Sequence, residues 1–317
     1  MKVVDKINKA SKTLFSFELL PPLKGQHFAN IQALIDPLLE FDPAYINVTY
    51  HQEEVSYKKH ERGLLEKKTI RKRPGTVGIT AAIQYNYNVE VVPHIICGGF
   101  SKEDTENALI DLNFLDIKNL LVVRGDAELS QKVFIPEEDG HANAIDLVKQ
   151  IVKLNKGQYI DEELRNTAST DFCIGVAGYP EKHIEAPNME SDLKYLKEKI
   201  DSGAEYIVTQ MFFDNSKYFS FVEHCRKEGI NVPIIPGLKP ISAKNQIHTL
   251  PQTFNIDIPN DLSVEVDKCD KNSDARQVGV EWAIKQSKEL LEFGVPALHF
   301  FTMGRSDNVQ KIAKAVF

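Results

Sequence analysis

The chain has 317 residues, with 38 basic and 45 acidic side chains, so its formal net charge is −7. Hydrophobic residues make up 42% and charged residues 26%, the balance of a globular protein that can bury a large core. The mild acidity gives no electrostatic reason to expect a nucleic-acid partner, and no run of about 18 apolar residues predicts a membrane span. The polar, mixed-charge segment 1–13 lacks the apolar centre of a secretion signal.

Cysteine usage narrows the class further. The four cysteines, Cys97, Cys173, Cys225 and Cys269, are far apart and form no C-x-x-C pair. This spacing argues against a zinc ribbon and a disulfide scaffold, and it fits a reducing, cytoplasmic location. Cys97 and Cys173 lie in apolar runs, so we predict that they are buried packing residues rather than nucleophiles.

Eight short apolar or β-branched runs recur along the chain, each short enough for a strand buried on both faces. They span residues 14–19, 45–50, 91–97, 119–124, 172–177, 206–212, 233–237 and 297–302. Helix-like stretches separate them, and regular alternation of strand and helix predicts a parallel sheet with right-handed crossovers. Eight such units favour a closed (β/α)8 TIM barrel of the α/β class. The alternative is an open, doubly wound sheet.

Five amphipathic segments are predicted helices, at residues 28–41, 101–115, 192–202, 218–228 and 279–293. Ser101 suits an N-cap, and an acidic first turn follows it. Gly203, Gly229 and Gly294 each follow a helical segment, where glycine commonly ends a helix.

Two insertions interrupt the alternation within what we predict to be a single catalytic domain over residues 1–317. Residues 53–73 follow the second strand and are strongly basic. Such a run is either a solvated face or a patch that steers an anionic ligand towards the strand ends. Residues 127–143 follow the fourth strand and are loop-like.

Common motifs are absent, which restricts the chemistry. The sequence contains no G-x-G-x-x-G, no P-loop, no H-E-x-x-H and no G-x-S-x-G. A nucleotide-binding function must therefore rest on other residues.

In a (β/α)8 barrel the site lies at the carboxyl ends of the strands. Side chains alternate along a strand, so Phe15, Phe17 and Leu19 should face the helices while Ser16 and Glu18 face the barrel axis. A carboxylate among apolar neighbours loses hydration, which favours its protonated form and makes Glu18 a candidate proton donor. The alternative is a glutamate paired with a basic residue.

The next strands add polar groups at their ends. Thr49 places a hydroxyl at the rim, and His94 lies in the third strand, where it is either a ligand contact or a core histidine with satisfied hydrogen bonds. The fourth run ends in Arg124, Gly125 and Asp126. The arginine and the aspartate either pair with each other or bind a ligand with charged and polar edges.

The later strands contribute an aromatic ring at Tyr179, a donor at His183, an amide at Gln210 and a guanidinium at Arg305. The whole set suits a flat heteroaromatic ligand with polar edges and proton donation from one carboxylic acid. Because the carboxylates and histidines are dispersed and interleaved with arginine, we predict no metal site. Redox chemistry would then need an organic cofactor.

Eight segments carry a family resemblance. They are SFELLPP (16–22), NVTY (47–50), PHIIC (93–97), VVRGD (122–126), GYPEKHIEA (178–186), DLKYLKEKIDSGAEYIVTQMFFD (192–214), IIPGLKPI (234–241) and LHFFTMGR (298–305). In these segments the chain resembles the methylenetetrahydrofolate reductase family, flavin-dependent barrel enzymes of one-carbon metabolism. Its length suits the short form that consists of the catalytic domain alone.

The resemblance implies that NADH or NADPH reduces a noncovalently bound FAD, which reduces 5,10-methylenetetrahydrofolate to 5-methyltetrahydrofolate for methionine supply. Glu18 matches the general acid that protonates N10 and opens the methylene bridge to an iminium. Asp126 matches an aspartate between flavin and folate that stabilises this cation. Gln210 matches an amide that contacts nicotinamide and pterin, and Gln246 and Arg305 match residues that contact folate.

Cofactor contacts follow from the same resemblance. Thr49 matches a position near the nicotinamide, and the implied flavin contacts are Tyr50, His94, Arg124, Gly125, Asp126, Tyr179, His183, Ala186, Asp192 and Lys199. Tyr195, Glu198 and Asn143 stand where bacterial members carry an Asn, an Arg and an aromatic residue. The family pattern also implies ping-pong kinetics and a homo-oligomer. The rival interpretations are a cofactor-free barrel lyase or aldolase, and a barrel that binds folate or a nucleotide without turnover.

Overall fold

All eight predicted strand runs form strands in a computed structural model that describes residues 1–61, 63–127 and 133–317. The strands in chain order are β1 (Leu14–Leu19), β2 (Tyr45–Val48), β3 (Glu54–Lys59), β4 (Leu65–Ile70), β5 (Val91–Ile96), β6 (Asn119–Val123), β7 (Cys173–Gly178), β8 (Tyr206–Thr209), β9 (Ile234–Ile235), β10 (Gly237–Leu238) and β11 (Ala297–Phe301). All but β3 and β4 belong to one parallel sheet, in the order β10-β11-β1-β2-β5-β6-β7-β8-β9.

The sheet closes on itself, because β9 and β10, at the two ends of this order, are two halves of one predicted strand. Pro236 separates them; proline has no N–H to donate, so the ladder is interrupted there. β9 pairs with β8, and β10 pairs with β11, which in turn pairs with β1. The ring is therefore a (β/α)8 barrel, and the open, doubly wound alternative is wrong.

Helices surround the ring. They are α1 (Val3–Lys9), α2 (Ala29–Ile35), α3 (Thr76–Tyr87), α4 (Lys102–Phe114), α5 (Ala144–Asn155), α6 (Met189–Asp201), α7 (Asn215–Lys227), α8 (Gln246–Phe254), α9 (Asn260–Asp267), α10 (Asn272–Phe293) and α11 (Asp307–Val316), with a 3₁₀ helix at Asp36–Phe41. Ser101 caps α4 in a reciprocal capping box with Asp104, and Gly294 ends α10 in the left-handed conformation, as predicted. The predicted helix 28–41 is instead α2 followed by the 3₁₀ helix.

Apolar side chains fill the inside of the barrel at its amino end. Val3 of α1 packs there against Tyr45, Cys173 and Tyr206. The Val3 N–H also donates to Asn119 Oδ1 at 2.7 Å, which fixes α1 across the opening. Because this end is plugged, a ligand can enter the barrel only at the carboxyl ends of the strands.

The two cysteines in apolar runs behave as predicted. Cys97 packs in the core between the strands and the helices, and Cys173 packs inside the barrel. Burial raises the pKa of both thiols to about 12, so both are protonated and unreactive at neutral pH.

The basic insertion 53–73 is an antiparallel hairpin of β3 and β4. Its base is fixed to the loop after β1, since the Lys24 N–H donates to the Lys72 carbonyl at 2.7 Å and Arg73 donates to the Pro21 carbonyl. The hairpin therefore rises from the carboxyl end of the barrel.

In the second insertion, residues 133–143 form no helix or strand, and residues 128–132 lie outside the described part of the chain. No helix of the described residues is long and apolar enough to cross a membrane.

Candidate active site

Glu18 lies on the inner face of the barrel, as the alternation of β1 predicts. Phe15, Phe17 and Leu19 pack in the outer core against the helices, so the residues between them face the axis. Parallel register places Glu18 next to Asn47 of β2. Its side chain is only 14% exposed, at the upper edge of the barrel interior.

A short network joins Glu18 to two neighbouring strands. Its Oε2 lies 3.2 Å from Nε2 of His94, whose side chain is 11% exposed. Asn47 Nδ2 lies 3.4 Å from the same ring nitrogen. Glu18 therefore lies beside a basic side chain, as in the alternative given above, and that partner is the imidazole of His94.

A second buried histidine lies one layer deeper. His299 is fully buried, and its Nδ1 lies 3.0 Å from the Ser16 hydroxyl. Desolvation lowers the His299 pKa to about 4, against an opposing effect of the Glu18 charge. Its Nε2 is buried without a partner among the described residues. The deeper layer is therefore neutral, and the charge of the barrel interior is concentrated around Glu18.

The strand of Glu18 is joined to the last strand of the barrel. The Glu18 carbonyl accepts the Thr302 hydroxyl at 2.7 Å and the Thr302 N–H at 3.3 Å. Thr302 follows β11, so this contact fixes the carboxyl end of β1 at the position where the barrel closes.

Arg124 pairs with a residue that the sequence analysis did not consider. Its two terminal nitrogens lie 2.5 and 2.8 Å from the two carboxylate oxygens of Glu185. This bidentate pair raises the pKa of Arg124, and it lowers the pKa of Glu185. The guanidinium also lies 5.0 Å from the centre of the Phe134 ring. The alternative of an Arg124–Asp126 pair is wrong, and Asp126 is exposed at the rim.

A cavity of about 480 Å³ lies beside Arg124 and brings together six of the predicted flavin contacts. Those six lining residues are Arg124, Tyr179, His183, Ala186, Asp192 and Lys199. The three positions that depart from the bacterial pattern, Tyr195, Glu198 and Asn143, line the same cavity. The wall is built by the ends of β6 and β7 together with α5 and α6.

Two side chains of this cavity are held in place by their neighbours. The His183 N–H donates to Asp192 Oδ2 at 2.8 Å, and its Nδ1 accepts the Glu185 N–H at 3.2 Å. The Tyr179 and His183 rings meet edge to face at 4.8 Å. Lys199 donates to the Ala177 carbonyl at 2.9 Å. Burial lowers the pKa of Lys199 to about 8, and Asp192 opposes that shift.

The remaining predicted cofactor residues do not line the 480 Å³ cavity. Tyr50 and His94 line a neighbouring cavity of about 540 Å³, in which Tyr50 packs on Phe100 at 4.9 Å. The Thr49 hydroxyl oxygen lies 3.3 Å from Nε2 of His51. Gly125 has a φ of +87°, a conformation that glycine adopts without strain, and it redirects the chain after β6.

The three predicted substrate residues do not line the 480 Å³ cavity. Gln210 accepts the Met211 N–H through its Oε1 at 2.9 Å. Gln246 accepts the Ser242 N–H at 2.7 Å and lies 3.2 Å from the Ser242 hydroxyl. Arg305 is exposed and lines a separate small cavity between β10 and β11.

Sequence reasoning missed three charged or titratable residues of this region. Glu185 neutralises Arg124. His51 has its pKa lowered mainly by burial and secondly by Arg73, while the charges of Glu18 and Asp126 oppose this effect. Lys239 is 6% exposed at the end of β10. Only Lys239 had a usable signal, because it stands two residues after Gly237 and therefore on the same face of the strand.

The donor set of the 480 Å³ cavity fits a flavin nucleotide. Arg124 and Lys199 supply cations suited to phosphate, Tyr179 supplies a flat aromatic wall, and Asp192 supplies an acceptor for a hydroxyl. The volume falls in the ~300–1,000 Å³ range of ligand pockets. Among the described residues, no group of three or more His, Cys, Asp or Glu side chains is placed to hold a metal ion.

Comparisons of the sequence with known proteins point to one family. The family model for methylenetetrahydrofolate reductase matches residues 2–316. Methylenetetrahydrofolate reductase (NADH) 1 of Arabidopsis thaliana is 32% identical over 326 residues, covering 99% of this chain and 50% of its own length. The 5,10-methylenetetrahydrofolate reductase of Pectobacterium carotovorum subsp. carotovorum is 30% identical over 295 residues, covering 92% of this chain and 86% of its own.

A solved structure supports the fold. An uncharacterized protein from Clostridium thermocellum that binds two copies of 5-methyl-5,6,7,8-tetrahydrofolic acid superposes with a TM-score of 0.61 at 15% identity, covering 98% of this chain and 96% of that one. The chain spans about half the length of the plant relative. With a family model that matches almost from end to end, the chain belongs to the methylenetetrahydrofolate reductase family.

Proposed function

We propose that this protein reduces 5,10-methylenetetrahydrofolate to 5-methyltetrahydrofolate with NADH or NADPH, through a noncovalently bound FAD. The balanced reaction consumes the hydride of the nucleotide and one proton, and it releases NAD⁺ or NADP⁺. The observation that carries the proposal is Glu18, a shielded carboxyl group inside the barrel mouth, 3.2 Å from His94. It lies on the same rim as a cavity lined by six residues that match flavin contacts.

Glu18 supplies the proton. Its side chain is largely shielded from water, and the one titratable group within hydrogen-bond distance among the described residues is the His94 imidazole. A carboxylic acid in this position donates to an amine nitrogen of the substrate, which opens the methylene bridge. The imidazole can then return a proton to the carboxylate without admitting bulk water.

The residues around the 480 Å³ cavity hold the cofactor in this proposal. FAD, when bound, supplies a two-electron carrier that accepts hydride from the nucleotide and delivers it to the folate. Arg124 and Lys199 bind its phosphates, and Tyr179 and His183 form the wall against which it packs. Glu185 keeps the Arg124 guanidinium in one orientation before any ligand binds, which lowers the entropy cost of binding.

Asp126 stabilises positive charge at the mouth. It is exposed and close enough to His51 to oppose the lowering of that pKa, so its charge reaches the space above Glu18. A carboxylate there favours the cationic form of the opened substrate and disfavours extra electron density on the cofactor. Asp126 and Glu18 thus have different roles because one is exposed and the other is shielded.

Thr49, Gln210, Gln246 and Arg305 complete the proposal as substrate contacts. Because one mouth serves both the nucleotide and the folate, the kinetics should be ping-pong, with each substrate entering after the other has left. We further propose that residues 1–317 act as one catalytic domain and that the protein is cytoplasmic, which fits its cysteine usage. We also propose that it forms a homo-oligomer, as its family resemblance implies.

Separate measurement of the two half-reactions tests the proposal. In Glu18→Gln, reduction of the bound FAD by NADH or NADPH should stay within about twofold, because that step needs no acid. Oxidation of the reduced enzyme by methylenetetrahydrofolate should fall by about 10²–10⁴-fold, the usual contribution of a general acid. Anaerobic stopped-flow absorbance at the flavin band measures both steps, and Glu40→Gln on the surface is the matched control.

Two results would contradict the proposal. Purified protein that binds no FAD would favour a cofactor-free lyase or a binding protein. Near-normal folate reduction by Glu18→Gln would remove Glu18 from the role of acid while leaving the flavin assignment intact.

A further inference from the structure

Lys239 is a buried ammonium group on the face of the barrel that points to the mouth. It follows β10, whose Gly237 is the inner residue, because a Cβ there would lie 2.7 Å from the ring of Phe301, which shares the inner face of β11 with His299. Leu238 packs in the outer core, so the next residue faces inwards again. Lys239 is only 6% exposed.

The ammonium of Lys239 has no counter-charge within the described residues, which show neither an ion pair nor a side-chain hydrogen bond for it. Burial alone accounts for the lowering of its pKa to about 8, and no carboxylate opposes that shift. Lys199, by contrast, has Asp192 nearby and the Ala177 carbonyl as an acceptor. Keeping an unpaired cation out of water is costly, and the cost is recovered when an anion binds to it.

Lys239 lines a cavity of about 60 Å³ between β10 and β11. The other lining residues are Pro240, Ser242, Phe301, Thr302, Met303, Arg305, Asn308 and Val309. Lys239, Arg305 and Ser242 therefore line one space, and none of its described lining residues is acidic. The volume is about that of two water molecules, at ~30 Å³ each. It suits a carboxylate group rather than a ring or a whole nucleotide.

This cavity lies beside the strand that carries the acid of the proposed reaction. Thr302 lines it, and the Thr302 hydroxyl donates to the Glu18 carbonyl at 2.7 Å. Ser242 lines it too, and its N–H is held by Gln246, a predicted substrate contact. In the ring, β11 lies opposite β6, and no described residue lines both this cavity and the 480 Å³ cavity, so the two cavities are separate. A ligand positioned over Glu18 can extend into the cavity that Lys239 lines.

We propose that Lys239, with Arg305 at the opening, binds a carboxylate of the glutamate part of the folate substrate and fixes the position of that substrate over Glu18. The proposal rests on the proposed function, because it assigns the anion to the folate. An oxyanion could also come from a phosphate of the pyridine nucleotide. The small volume and the contact with Gln246 favour the carboxylate.

Equilibrium binding tests the proposal independently of turnover. In Lys239→Met, the Kd for 5-methyltetrahydrofolate should rise about tenfold, the usual loss for one charge-assisted contact. The Kd for 5-methyltetrahydropteroate, which lacks the glutamate, should be the same in both proteins. The Kd for NADH and for NADPH, and the FAD content, should not change. Lys285→Met, which removes an exposed lysine beside Trp282, is the matched control.

Lys239→Met should fold as well as the parent protein. Because the methionine removes an uncompensated buried charge, Lys239→Met should have a Tm equal to or above that of the parent. Arg305→Gln is a second variant at an exposed position. It should raise the Kd for 5-methyltetrahydrofolate and leave the Kd for the ligand without glutamate unchanged.

Three outcomes would overturn the proposal. They are an unchanged Kd for 5-methyltetrahydrofolate in Lys239→Met, an equal loss for the ligand without glutamate, and a loss confined to the pyridine nucleotides. Failure of the proposed function would look different: the parent would show no flavin or no folate reduction, whatever the effect of Lys239→Met on folate binding.

Discussion

The two sides of the barrel mouth differ in how their charges are balanced. On the side of β6 and β7, the protein supplies its own partner, because Arg124 forms a bidentate pair with Glu185. On the side of β10 and β11, Lys239 and Arg305 line a common cavity without a carboxylate among its described lining residues. The first side is assembled before a ligand arrives, whereas the second side has unbalanced positive charge.

The difference follows from what each side is proposed to bind. A tightly held cofactor stays in place through many turnovers, and its site gains from rigid, prearranged side chains. A substrate must leave after each turnover, so its site can leave charge to be neutralised by the substrate itself. A mutation that removes a cation should therefore weaken cofactor binding on the first side. On the second side it should leave folding unaffected.

The largest expected effect concerns His299 of β11, which lies below the cavity of Lys239 and Arg305. Its pKa is about 4 when folded, against 6.5 for the free side chain. The unfolded chain thus binds the extra proton first as pH falls from 6.5 to 4, and the free energy of unfolding should drop by up to about 3 kcal/mol over this window. Urea unfolding at a series of pH values measures it.

His299→Phe should remove that part of the pH dependence, while above pH 6.5 its stability should vary with pH as in the parent. His248→Gln at an exposed position is the control and should keep the parental slope. If the free energy of unfolding of His299→Phe still fell with pH as in the parent, the buried layer under Glu18 would not be the source of that pH dependence.

The next effect concerns the side of β6 and β7, where Arg124 is paired with Glu185. Arg124→Met should weaken FAD binding about tenfold, because it removes a cation from the cavity and leaves Glu185 facing the cofactor. Fluorescence titration of apoprotein with FAD gives the Kd. Lys239→Met, on the other side, should leave this Kd unchanged. Equal losses in the two variants would contradict the division of the mouth into a cofactor side and a substrate side.

The smallest effect concerns Asp126, which is exposed. Asp126→Asn should raise the reduction potential of the bound flavin by about 20 mV, since a charge screened by water contributes about 1 kcal/mol. A dye-coupled redox titration measures the shift, and Asp5→Asn, an exposed position on α1 at the amino end of the barrel, is the control. An unchanged or lower potential would argue against a charge effect of Asp126 on the cofactor.

Local sequence patterns predicted the parts of this structure that depend on local geometry. The inner position of Glu18 follows from the two-residue alternation of a strand, and the end of α10 at Gly294 follows from the left-handed conformation that glycine permits. The eight strand runs were recognisable because buried parallel strands are continuously apolar.

Long-range partners could not be predicted in the same way. Glu185 is separated from Arg124 by 61 residues, and the pairing depends on how the loop after β7 folds over the cavity. The sequence pattern instead offered Asp126, two residues away. The plug formed by Val3 was missed for the same reason, because α1 is short and its burial depends on strands far along the chain. The predicted roles of the site residues in binding and catalysis stay predictions.

The bond between Thr302 and the Glu18 carbonyl has a consequence for the order of folding. The two residues are 284 positions apart in the sequence, so the carboxyl end of β1 gains this partner only once β11 has paired with β1. A variant truncated before β11 would therefore retain Glu18 but lack the hydrogen bond that fixes its strand end.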